Sequence, residues 1–203
     1  MTISEQIEHI YLTKVLLKEE VDNKEKENWF IKRTNNHIDL VKKYCKKIAE
    51  YDPKRFEKLI SQSEHHDASK LKEPEKTPFI DITWRHKFDN YKSYKTPGSL
   101  TKEDENAATL HHILNNSHHP EYWLKNKSEA NLNQKDRDKP GNIVDATQMT
   151  DLAIGEMVAD WCAMGEELKN SPKTWADKTV NIRWKFNDNQ KDLIYDLINN
   201  IWE

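Results

Sequence analysis

The 203 residues suit one domain, and four Gly with seven Pro leave too little turn chemistry for a many-stranded β protein. Charged residues (33%) nearly match hydrophobic ones (35%) and mean hydropathy is −1.01, a balance that suggests disorder until seven Trp, seven Tyr and five Phe are counted as burial. Net charge −3 and a pI of about 6.3 exclude the basic excess of a general nucleic-acid binder, though a local basic pocket for one phosphate stays open.

The N-terminal stretch lacks a basic region followed by an uncharged apolar run, so it does not read as a signal peptide. No apolar run approaches the ~20 residues that span a bilayer. Cys45 and Cys162 sit in apolar helical contexts and read as buried free thiols of a reducing cytoplasm.

Apolar residues recur at helical spacing along almost the whole chain. Ile3, Ile7, Ile10, Tyr11 and Val15 mark an N-terminal helix over about residues 1–22, fading into a polar run through Asn28. A second helix is expected from Trp29 to Tyr51, with Val41, Tyr44 and Ile48 on one face. Asp52-Pro53 reads as the capped start of a third helix through Ile60. Residues 72–78 form a proline-bearing connector before a helix-like stretch from Phe79 to Tyr94. Thr101, followed by Glu103 to Glu105, caps a helix that carries His111 and His112. Residues 125–143 are the most polar stretch, either a solvated connector or a lid. Two further helices are expected at about 148–169 and 188–203. In the last one, Leu193, Leu197 and Ile201 either complete the core or form a homodimer seam. The expected fold class is all-α, as a single domain.

Nine histidines are distributed unevenly. His9 and His86 stand alone and read as ordinary structural residues. His37 lies on the face of Val41, Tyr44 and Ile48, and Asp160 on the face of Ala153, Met157 and Met164. A polar group on an apolar face calls for a cation or a metal. His66-Asp67 offers an imidazole and a carboxylate from adjacent residues. With His37 and Asp160 they make a mixed N/O set that suits Mn, Fe, Co, Zn or Ni. In HHILNNSHHPEYW, His111 and His118 are seven residues apart, nearly two helical turns, and so are His112 and His119. Ala107, Leu110 and Leu114 favour His111 and His118 as the inward-facing pair.

The order His37, His66-Asp67, Asp160, with Lys70 completing HDxxK and Ala159-Asp160 as the AD pair, resembles the HD-domain superfamily of metal-dependent phosphohydrolases. HDASK, HHPEYW and EMVADW together resemble an uncharacterised branch of these proteins found in bacteria and their phages. The resemblance spans about residues 29–168 and implies an HD-like helical bundle with added N- and C-terminal helices. It implies one or two divalent transition-metal ions on His37, His66, Asp67 and Asp160, with His111 and His118 as the added ligands of a second. The activity it implies is cleavage of a phosphate ester or anhydride of a small metabolite, foremost a nucleotide, by metal-activated water. Asp67 and Lys70 are the expected catalytic residues, and Arg33, Arg85 and Tyr122 join His112 and His119 as substrate contacts. Glu64 and Glu121 are candidate carboxylates for orienting water or the histidines. Two other readings stay open: an HD-fold di-iron oxygenase, and a non-catalytic metal-stabilised nucleotide-binding protein.

Overall fold

No Gly or Pro falls between Ile3 and Tyr51, and these residues form one continuous helix, α1, of 49 residues. The expected break near Glu19 to Asn28 is therefore corrected. That run is rich in Glu and Lys, which favour helix, and polarity alone does not end one. The computed structural model describes residues 3–87, 100–130 and 143–202, with side chains from Asn23 onward except that of His86. The expectations for His9, His86, residues 88–94 and most of the 125–143 stretch lie outside what is described.

The buried face of α1 runs through Phe30, Thr34, His37, Val41, Cys45 and Ile48, steps of three and four residues. Asp52 reverses the chain and accepts the Arg55 N–H, and Pro53 opens α2 (Pro53–Ser63). The next helix is α3 (Lys76–Lys87). Then α4 (Lys102–Asn115) starts at a reciprocal cap in which the Thr101 hydroxyl takes the Asp104 N–H and Asp104 takes the Thr101 N–H. Among the described residues, α5 (Asp151–Leu168) is the central helix and packs against α1, α2 and the final helix. It is followed by α6 (Pro172–Thr179), which the sequence reading did not anticipate, and α7 (Asp188–Ile201). Two short strands, β1 (Val144–Asp145) and β2 (Trp184–Lys185), pair in parallel with Val144 opposite Trp184. This small sheet leaves the fold all-α.

Leu193, Leu197 and Ile201 of α7 are buried in the main core, so this stripe faces inward. Cys45 and Cys162 are both free and buried. None of the described helices is long and apolar enough to cross a membrane.

Gly155 sets how closely α2 approaches α5. A Cβ there would lie 3.0 Å from Phe56 Cε1 and 3.1 Å from Leu59 Cδ2. That contact brings the end of α2, and the His66-Asp67 turn beyond it, against the α5 face that carries Glu156 and Asp160.

Candidate metal centre

After α2 the chain turns through Asp67, which has a left-handed backbone (φ 55°, ψ 13°) at the head of a 3-10 turn, Ala68–Leu71. An L residue with a Cβ adopts this conformation only where surrounding contacts impose it. The turn buries both His66 and Asp67. Two histidines then approach each Asp67 oxygen. His112 Nε2 and His118 Nε2 lie 3.2 and 3.7 Å from Oδ1. His37 Nε2 and His66 Nε2 lie 3.9 and 3.7 Å from Oδ2. Asp160 Oδ1 closes the side of His37 and His66, 2.9 Å from His37 Nε2.

Two further carboxylates hold imidazoles in place from outside. Glu156, one turn before Asp160, accepts from His66 Nδ1 at 2.9 Å. Glu75, fully buried, accepts from His112 Nδ1 at 2.9 Å and from the Ser69 hydroxyl at 2.9 Å. An ionised carboxylate only accepts, so each bond puts the proton on Nδ1 and turns a bare Nε2 inward. This carboxylate–histidine arrangement is how protein metal sites orient their ligands.

Asp67 Oδ1, His66 Nε2, His112 Nε2 and His119 Nε2 are all buried and none has a hydrogen-bond partner. Leaving such atoms unsatisfied costs about 1–3 kcal/mol each, which a shared cation would remove. Two ligands at about 2.0–2.2 Å from one ion lie roughly 3–4 Å from each other, the range spanned by the contacts around Asp67. One ligand atom from each of His37, His66 and Asp67 falls within 4.8 Å of the others, and the same holds for His112, His118 and His119. The residues present therefore fit divalent metal, with His37, His66 and Asp67 as one candidate ligand set, His112, His118 and His119 as another, and His66, His118 and Glu156 as a third.

The charges differ across the cluster: burial lowers His66, but the Asp67 charge and the Glu156 hydrogen bond outweigh it and raise that ring above its ordinary value. Burial raises the Asp67 carboxyl, but the Lys70 ammonium 2.6 Å away, with His66 and His112, outweighs burial and holds it well below the usual range. Burial likewise opposes ionisation of Asp160, and the hydrogen bond and charge of His37 overcome it. Burial, then neighbouring His66, push His118 down to about 3, so that ring is neutral and able to act as a ligand. Burial and the His118 and His112 rings also depress His119.

The second pair differs from the one expected. His111 is largely exposed and its Nδ1 bonds Glu75 Oε1 at 2.7 Å, while His112 points to Asp67. The buried face of α4 runs through Glu105, Ala108 and His112, and the helix ends at Asn115, so the helical spacing of His111 and His118 does not apply. Arg85 pairs with Glu105 of α4, and Tyr122 is partly exposed against Trp123 with Lys127 over its ring. Neither lines the two cavities beside the cluster. Glu64 is at the surface on Lys42, and Glu121 is buried and accepts the Trp184 indole N–H at 3.0 Å.

One cavity, about 520 Å³, opens on the His37 side between α1, α3 and α5. Arg33, Lys70 and Lys87 line it together with Asp67 and Asp160. Arg33 Nε is held 2.9 Å from Glu167 Oε1. Lys87, which sequence reasoning missed, lies over the Trp84 and Trp29 rings.

Residues 26–200 match the model of a family described as a family of unknown function, DUF5662, and the chain belongs to that family. No curated protein and no solved structure matches it.

Proposed function

We propose that this protein is a dinuclear metal-dependent phosphohydrolase of HD type acting on a small phosphorylated metabolite, with nucleotides the first class to test. The observation that carries the reading is the division of Asp67, with His37 and His66 facing one oxygen and His112 and His118 the other. His37, His66, Asp67 and Asp160 would hold one ion, and Asp67, His112 and His118 the second, with His119 adjoining. A divalent ion held by these residues would supply an activated water as nucleophile near neutral pH. The substrate class rests on the HD resemblance of the motif order.

The chain's own residues then have distinct tasks. Arg33 offers two parallel N–H donors to phosphoryl oxygens, and Lys70 adds a point charge beside Asp67. Their positive charge absorbs the negative charge that spreads over the phosphoryl oxygens during transfer. Glu75 and Glu156 keep the His112 and His66 rings aimed, so no reorientation accompanies the reaction.

The test is inorganic phosphate release from a panel of nucleoside mono-, di- and triphosphates with Mn, Co, Fe, Zn or Ni supplied. Asp67→Ala is expected to lower turnover by about 10³-fold or more while far-UV circular dichroism stays helical. Undiminished turnover in a folded Asp67→Ala protein would overturn the assignment.

A further inference from the structure

A second cavity, about 450 Å³, lies on the His118 side of the cluster and shares Asp160, Met164 and Leu168 with the first. Its character is different. Trp161 and Trp184 stack with centroids 6.0 Å apart and planes at 17°, and Trp175 meets Trp184 edge-on at 62°. Leu168 and Pro172 extend the apolar wall, Asn170 and Ser171 add polar groups, and the Arg183 guanidinium, also in the lining, lies 5.0 Å from the centre of the Trp184 ring, which leaves Trp175 as the indole open to a ligand. His118 and His119 form the boundary with the cluster. Trp175 lines this cavity and is 42% exposed as a residue.

Cavities of roughly 300–1,000 Å³ with aromatic walls and a few polar groups are the usual size and make-up of small-molecule sites. Indole faces prefer flat π systems, and a base stacked on an aromatic side chain gains about five- to 150-fold in affinity. Phosphate bound at the cluster would leave this chamber as the adjoining space for the organic part of the substrate. We propose that the tryptophan-walled chamber seats the planar base of a nucleotide substrate and sets the enzyme's preference for nucleotides over sugar phosphates. This rests on the phosphohydrolase reading for its phosphate end, but base binding is testable without any turnover.

The experiment is isothermal titration calorimetry of the metal-free protein with adenosine, guanosine, cytidine and uridine, none of which carries phosphate. At least one nucleoside is expected to bind with 1:1 stoichiometry. Trp175→Ala is expected to weaken it about tenfold, and Trp175→Phe to restore most of the affinity. Trp175 is partly exposed, so its replacement spares the core; circular dichroism confirms that the variant is folded. No binding by any nucleoside, or binding unchanged in Trp175→Ala, would overturn the proposal. Binding of hexan-1-ol in place of nucleosides would also overturn it, by assigning the chamber to an aliphatic group. Nucleoside binding without phosphate release would remove the hydrolase reading and leave the chamber assignment standing. Phosphate release from ribose 5-phosphate without nucleoside binding would do the reverse.

Discussion

Asp67 combines three costs in one residue: a left-handed backbone, complete burial and an oxygen without a hydrogen bond. Backbone strain of this kind is worth about 1–3 kcal/mol and persists where the surrounding structure over-determines it. The cysteines give the opposite case, polar atoms that burial has silenced. Burial pushes the Cys162 thiol up to about 12, and burial with Glu156 and Asp160 nearby raises Cys45 further. Iodoacetamide at pH 8 is therefore expected to leave both thiols of the folded protein unmodified within an hour and to label two per chain in denaturant. Stoichiometric labelling of the folded protein would contradict the packing around them. The sequence made His37 and Asp160 legible because each interrupts an apolar stripe, and His66-Asp67 because two ligand types stand side by side. The local apolar residues favour His111 as the inward-facing histidine, whereas burial in α4 follows Ala108, His112 and Ile113. Glu156 had a readable signal, since it lies one turn before Asp160 on the same helix. Glu75 had none: it sits in a connector, and its role arises only from the fold around it.

At the scale of elements, the helices were readable and their junctions less so. Asp52-Pro53 and Thr101 announced helix starts through specific side-chain chemistry, and both caps are present. The joint expected near Asn28 had only polarity behind it, and α1 passes straight through. Eight-residue α6 and the two-residue strands were too short to leave a periodic pattern. The α2–α5 contact at Gly155 positions the His66-Asp67 turn, and a larger side chain there has no room. Gly155→Val is expected to destabilise by about 2 kcal/mol through overpacking against Phe56 and Leu59. For a chain of this size that lowers Tm by roughly 4–8 °C, measurable by differential scanning calorimetry. An unchanged or higher Tm would mean that the two helices separate freely and do not fix the turn.

Over the whole molecule, α1, the end of α2, α4 and the central α5 deliver polar ligand atoms to one buried point. A cavity lined by Arg33, Lys70 and Lys87 with Asp67, Asp160 and Glu167 lies on one side of that point and a tryptophan-walled one on the other. The arrangement follows from chain order: His37 from α1, His66-Asp67 after α2, His112 from α4, His118 just beyond it, and Asp160 from α5. It is also an expensive arrangement for a protein without cations, since several buried ligand atoms face one another unsatisfied. The most direct measurement is therefore metal content per chain by elemental analysis, on protein purified without chelator or nickel affinity, for wild type, His112→Ala and His111→Ala. The account predicts two divalent transition-metal ions in wild type, about one in His112→Ala, and two in His111→Ala. No bound metal in wild type after incubation with each of Mn, Fe, Co, Zn and Ni, or a loss in His111→Ala that spares His112→Ala, would contradict it.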